Sequence, residues 1–337
     1  MSLSILHHSA IDLVILMTLQ IAGMALSTLA FACVLSFRTT KYNAAKIAGF
    51  RREIGILFIG LCLPAFCAAE PIVWFEQNLP PSIITEGSSK GQGYGDQIIN
   101  FVLHNLPQYQ VALTDVPHVR EEETMKRGGT YCTRDFMEST DRDAFLRFTA
   151  PVGYVLPVGL IVRVEDTARY DRYADANHTI RLESLLSSDP GTLGVAALRK
   201  YGAATDNVIA QVRAKQARKI SIIYEDNGTA TLLKMLDAHH IDEMLAYPTE
   251  ETYLSTQLGM RGHYYFYPIA ESPVLVSVRF SCTKQAATDG IFSDLDIQAK
   301  SVASQNVFQA DYERWLPPYL LSLYRTRLKD DSKIPGL

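Results

Sequence analysis

The sequence predicts an α/β chain in which mostly parallel sheets are covered by helices. Short runs rich in β-branched and aromatic residues alternate with stretches whose apolar residues recur at helical spacing, the pattern of successive βα units. The 337 residues are 47% apolar and 20% charged, enough for one large or two ordinary domains with a core to bury. The 32 basic and 36 acidic residues leave a net charge of −4. That lacks the basic excess needed to neutralise phosphates, so nucleic acid is not an expected partner.

Beginning at Pro71, Ile72-Val73-Trp74-Phe75 reads as a buried strand, followed by the turn Asn78-Leu79-Pro80-Pro81 and a second extended piece at 82–85. Residues 87–95 form a glycine-rich loop. Residues 96–106 then place Ile98, Ile99, Val102, Leu103 and Leu106 on one helical face, ended by Pro107. Strands are expected at 110–114, 160–163, 193–197, 220–224, 241–247 and 274–280. Helices are expected at 205–215, 229–237 (with Leu232, Leu233 and Leu236 as its stripe), 291–303 and 308–315. In Tyr264-Tyr265-Phe266-Tyr267, strand alternation splits the rings between two faces, which reads as core plus crossover rather than a stacking platform. Residues 329–337 read as a frayed tail.

Residues 1–69 differ from the rest. Their charges are Arg38, Lys41, Lys46, Arg51 and Arg52 against Asp12 and Glu53, whereas the remainder carries 27 basic and 34 acidic residues. The uncharged stretch 13–36 is 24 residues, about 36 Å as a helix and enough to cross a bilayer core. After it, residues 38–69 have the three parts of a secretory signal: a basic region, a short apolar run and small residues, with cleavage expected after Ala68 or Ala69. The alternatives are a two-helix hairpin with 37–52 in the cytoplasm, or a true start nearer Arg38. In each case residues 70–337 are exported to the periplasm, and the membrane is met only through a retained leader. Of five cysteines, Cys132 and Cys282 alone lie beyond the leader. An even pair in an oxidising compartment predicts a disulfide, against the alternative of two buried thiols.

Several chemistries find no motif. The pairs His7-His8 and His239-His240 lack further ligands at metal spacing, and Gly91-Gln92-Gly93-Tyr94-Gly95 lacks the Lys-Ser/Thr ending of a phosphate loop. No serine sits in Gly-x-Ser-x-Gly, and no cofactor is expected.

The order of pieces resembles the family 3 extracellular solute-binding proteins, with their periplasmic binding protein-like II fold. The residues carrying the resemblance are the opening strand with Pro80-Pro81, the glycine-rich turn before Asp96, Ser139-Thr140-Asp141-Arg142 with Phe148-Thr149-Ala150-Pro151, and Leu236 to Asp242. Residues 264–269 and 276–284, including Cys282, look most like a transporter substrate-binding-domain branch. The resemblance implies two lobes, one from 70–158 plus 268–337 and one from 159–267, each a mostly parallel sheet flanked by helices, joined by two crossovers. It implies a non-catalytic monomer that captures a small anionic, carboxylate-bearing or amino-acid-like solute for the permease of an inner-membrane ABC-type transporter.

On the same warrant, Arg142 is the guanidinium that holds the solute's carboxylate through two parallel hydrogen bonds. Further cleft candidates at matched positions are Glu76, Leu79, Asp135 and Met137. Trp74 and Phe75 are expected to split between core and cleft. Arg199, Lys200 and Tyr201 lie where the second lobe turns from strand into helix and offers backbone N–H groups to an anion. Tyr247 stands where many relatives carry the acid that holds an ammonium, which puts an ordinary α-amino acid in question unless Glu250 or Glu251 compensates. The rival readings are a periplasmic prephenate- or arogenate-dehydratase-like enzyme on the same scaffold, with Glu76 or Glu250 as its acid, and a membrane-tethered ligand-sensing module.

Overall fold

The computed structural model describes residues 71–330, apart from Asp135, Leu198, Asp226 and Asn227. The leader, its candidate spanning helix and cleavage site, and the end of the expected tail lie outside the described residues, as does the candidate Asp135. Among the described residues no helix is long and apolar enough to cross a membrane.

The chain opens with β1 (Ile72–Glu76), α1 (Tyr94–His104), β2 (Val111–Asp115), α2 (His118–Lys126), β3 (Tyr131–Thr133), β4 (Leu146–Phe148) and β5 (Gly153–Val155). A second run follows: β6 (Gly159–Arg163), α3 (Thr167–Tyr170), α4 (Leu182–Ser188), β7 (Leu193–Ala196), α5 (Ala203–Lys215), β8 (Ile220–Ile223), α6 (Gly228–Asp237), β9 (Glu243–Ala246), α7 (Pro248–Gln257) and β10 (Tyr264–Tyr267). It closes with β11 (Val276–Val278), β12 (Ser281–Thr283), α8 (Asp289–Ser304), α9 (Val307–Glu313) and α10 (Leu321–Lys329).

Two five-stranded sheets result, in the orders β2-β1-β3-β12-β4 and β10-β6-β9-β7-β8. Each is parallel at one end and antiparallel at the other, a more mixed pairing than mostly parallel. The reason lies in the crossovers. The strand that first enters each sheet after a crossing, β6 or β12, comes from the opposite end and is antiparallel to both its neighbours. The β-α-β strands β1, β2 and β3, and likewise β7, β8 and β9, stay parallel. Between the sheets β5 and β11 form a two-stranded ribbon.

Two expected strands came out differently. Residues 82–85 make only the single bridge Leu79 to Ile83, because the Ser82 carbonyl is spent accepting the N–H groups of Gly95 (2.8 Å) and Asp96 (3.2 Å) at the start of α1. The expected strand 274–280 is split. Val276–Val278 pairs with β5, and then Thr149 takes both polar groups of Phe280, so the chain steps into the first sheet as β12. The frayed-tail reading starts one residue too early, since α10 stays helical through Lys329.

Ile98, Ile99 and Val102 of α1 enter the largest core cluster with Trp74, Phe280, Phe308 and Tyr312. That cluster runs on to Leu232, Leu233, Met244 and Phe266 of the second lobe, whose own core holds Leu160, Val162, Leu185 and Leu193. Cys132 and Cys282, opposed on β3 and β12, are joined by a disulfide, which decides that pair against free thiols.

The C-terminal segment straps both crossovers. Tyr312 Oη accepts the Leu156 N–H (3.0 Å), Tyr324 donates to the Tyr154 carbonyl (2.7 Å), and Arg327 donates to the Val274 carbonyl (2.9 Å). Tyr319 Oη accepts the Phe266 N–H (2.8 Å) on the outer edge of β10, and its ring stacks on Tyr265.

Candidate functional site

In open α/β sheets, ligands meet the carboxyl ends of the parallel strands and the helix N-termini beside them. Here those ends bring Glu76 from β1 and Arg134 just after β3 together with Tyr94 at the start of α1. In the second lobe they bring Arg199 after β7, Thr229 at the start of α6, and Tyr247, Thr249 and Glu250 at the start of α7.

The second-lobe group is tightly knit. Arg199 Nη1 donates to Glu250 Oε1 (2.9 Å) and to Thr229 Oγ1 (3.1 Å), and the guanidinium lies over the rings of Tyr247 (5.1 Å) and Tyr201 (5.8 Å). Burial opposes the Arg199 charge, but Glu250 more than restores it and holds the guanidinium above its ordinary range. Glu250 Oε2 also accepts the Tyr247 N–H (3.1 Å), a capping contact that starts α7 ahead of Pro248. Burial pushes the Tyr247 phenol up to about 12, so near neutral pH it is a neutral donor and acceptor. Glu250 is therefore the internal partner of Arg199.

The first-lobe group centres on Arg134, which is 9% exposed. Its Nη2 donates to Ser82 Oγ, and its Nε is buried without a hydrogen-bond partner among the described residues. The Tyr94 phenol lies near Ser82 and near Thr249 of the other lobe; burial raises it, and its ring stands edge-on to Phe308 and Tyr312. Beside Arg134, burial raises the Glu76 carboxyl; Arg134 opposes the shift and Asp96 and Asp115 add to it.

The residues singled out by sequence divide. Arg199, Tyr201 and Tyr247 come together, with Tyr201 Oη accepting the Ala196 N–H (2.8 Å) and Lys200 exposed beside them. Two of the backbone N–H groups that the 199–201 turn was expected to offer an anion are engaged. Those of Arg199 and Tyr201 are already taken, by the Ala196 carbonyl and Asp206 Oδ1. Trp74 is fully buried against Phe280, and Phe75 is buried against Tyr131, so neither turns to the cleft as expected: both faces of β1 are covered. Leu79 and Met137 are exposed. Arg142 is spread over Glu122 Oε2 (3.0 Å), the Met137 carbonyl (2.9 Å) and the Phe136 ring (4.5 Å), all in the first lobe.

Arg134, Tyr94, Ser82 and Thr229 were missed. The usable signal was the glycine run 91–95, read only as a turn. A Cβ on Gly95 would fall 2.1 Å from Arg134 Nη2, and one on Gly93 would fall 2.2 Å from the Ser82 carbonyl oxygen. The two clashes differ in what can yield. Gly93→Ala meets backbone and is expected to destabilise the fold by about 1–3 kcal/mol. Gly95→Ala meets the end of a flexible side chain and gains helix propensity, so its stability should stay within about 1 kcal/mol of wild type while Arg134 is displaced. Urea unfolding of the two variants side by side checks the contrast.

No family model and no curated protein matches this chain. Solved structures do match. The probable amino-acid ABC transporter extracellular-binding protein of Bacillus subtilis superposes with a TM-score of 0.54 at 14% identity, over 73% of this chain and 97% of its own. The GluR0 ligand-binding core in complex with L-glutamate gives 0.52 at 12%, over 74% and 100%. A histidine kinase sensor domain with similarity to periplasmic binding proteins gives 0.52 at 12%, over 74% and 97%. At these identities the likeness shows the fold: the described part of the chain is a two-lobed α/β body of the periplasmic binding-protein type, as the resemblance to family 3 extracellular solute-binding proteins implies.

Proposed function

We propose that this is an exported, non-catalytic binding protein that captures a small carboxylate-bearing or amino-acid-like solute between its lobes and presents it to the permease of an ABC-type transporter. The observation that carries the reading is the gathering of polar groups from both lobes around the Tyr94 phenol, Ser82 and Arg134 from one and Thr249 and Glu250 from the other. Support for the solute class comes from the amino-acid ABC transporter binding protein and the glutamate-bound GluR0 core among the structural matches. The lobes in this reading are 70–158 plus 268–337 and 159–267, and closure by a hinge motion at the crossovers adds second-lobe contacts to a solute already held by the first.

The test is to unfold and refold the full-length protein to strip bound solute, then record thermal shifts against L-amino acids, dicarboxylates and prephenate. A compound that raises the melting temperature and is recovered unchanged by mass spectrometry is the expected result. Chemical turnover of that compound would replace the reading by an enzyme, and no shift with any of them would overturn solute capture.

A second reading, a membrane-tethered sensing module, is favoured by the match to a histidine kinase sensor domain. It requires the leader to be retained. The N-terminal sequence of the mature protein separates the two: a start near Glu70 supports release to the periplasm, whereas a retained residue 1 or a start near Arg38 supports the tether.

A further inference from the structure

We infer that Arg134 is the guanidinium that meets the solute's carboxylate, and that Arg142 is a structural residue of the first lobe. The inference rests on the solute-binding reading and concerns which side chain confers it. The resemblance assigns the role to Arg142, yet that guanidinium is already shared among a carboxylate, a carbonyl and a ring of its own lobe. Glu122, its carboxylate partner, is held below its ordinary value although burial opposes this, because Lys126 and Arg142 both bond it. Turning Arg142 towards a solute would break all of these contacts.

Arg134 is placed differently. It follows β3 at the carboxyl end of the parallel strands, with one nitrogen tied to Ser82 and its Nε buried without a hydrogen-bond partner among the described residues. A buried guanidinium N–H without an acceptor carries a penalty that a ligand oxygen removes. Arg134 and Ser82 lie beside the Tyr94 phenol, which is also near Thr249 and Glu250 of the second lobe, so polar groups of both lobes gather around Arg134. A solute held between the lobes would meet these groups.

Among the described residues neither Asp96 nor Glu76, the acids beside Arg134, hydrogen-bonds its guanidinium. Asp96 Oδ2 is occupied by the N–H groups of Ile84 (3.0 Å) and Gly93 (2.8 Å). Burial raises the Glu76 carboxyl, and Arg134 opposes that shift. The fit of Arg134 against Gly95, with no room for a Cβ, fixes the guanidinium plane, which is what two-point binding of a planar carboxylate requires.

The experiment is calorimetric titration of the full-length, stripped protein with the potassium salts of L-glutamate, 2-oxoglutarate, succinate and phenylpyruvate. Wild type is compared with Arg134→Lys, Arg142→Lys and Gly95→Ala. Arg134→Lys keeps the charge and loses the fork, so the affinity of whichever probe binds wild type is expected to fall at least about 30-fold. Arg142→Lys should change it by less than about threefold. Gly95→Ala, which leaves Arg134 in place chemically but shifts it, should weaken binding about tenfold or more while its melting temperature without probe stays near wild type. That last variant separates lost recognition from lost folding. Loss of binding in Arg142→Lys with Arg134→Lys and Gly95→Ala unaffected would overturn the assignment and leave solute capture intact. Failure of every probe to bind wild type would overturn the carboxylate reading itself, and the assignment with it.

Discussion

A chain carrying Cys132→Ser and Cys282→Ser together is expected to lose about 3–5 kcal/mol of unfolding free energy, read as a lower denaturant midpoint with a steeper slope. The two cysteines are 150 residues apart in sequence, so the bridge removes a large share of the unfolded chain's freedom. It also ties β12 to β3, and both cysteines are fully buried there. The serine hydroxyls enter the same site without acceptors planned for them, which adds to the loss. A midpoint unchanged by the double substitution, or matched by wild type under reducing conditions without any shift, would show that the rest of the first lobe supplies this constraint alone.

The second large effect is a dependence of stability on pH that two buried glutamates set. Glu243, fully buried on β9, accepts a hydrogen bond from the Tyr170 phenol at one oxygen and has no hydrogen-bond partner for the other among the described residues. Burial pushes its carboxyl up to about 7, helped by Asp189 and Asp242 and opposed by Tyr170 and Arg169. Glu251 on α7 is likewise buried and pushed up to about 7, with only Thr252 and Ser255 opposing. Both folded values lie above the unfolded value of 4.5, so the folded chain holds more protons than the unfolded one between them. Their contribution is therefore complete below about pH 4.5 and is lost as pH rises through about 7, at roughly 3 kcal/mol for each group. Glu243→Gln, neutral at every pH, should match wild type near pH 5 and exceed its stability by about 3 kcal/mol at pH 8. Urea midpoints at the two pH values test it, and equal midpoints at pH 8 would mean that the carboxyl is solvated on ionisation.

What sequence could reveal follows from where the signal lies. The apolar stripes of α1 and α6 and the buried run of β1 are local patterns, and each element forms within two residues of its expected position. Helix α7 was overlooked because its inward face is polar: Thr249, Glu251 and Ser255 are buried, so no apolar period exists to detect. Helix α2, His118–Lys126, is a polar stretch with no stripe, and β3 and β4 are three residues each, too short to stand out. In the site, Arg199, Tyr201 and Tyr247 stand near strand ends that motif spacing could place. The partnership of Arg134 with Gly95 and Ser82 joins residues dozens of positions apart, and no single-chain pattern announces it.

The position of β12 has a consequence for the order in which the molecule is made. Strands β6 to β10 come from one uninterrupted stretch, so the second sheet can be completed as soon as residue 267 is available. The first sheet cannot. Its β3 and β4 are not neighbours; the slot between them belongs to β12, which reaches it only after the whole second sheet has passed. Until then both strands present bare backbone edges, and the Cys132 thiol has no partner. A newly made chain thus spends an interval with one finished lobe and one open sheet, and during that interval its exposed edges are the surface most prone to pairing with another chain.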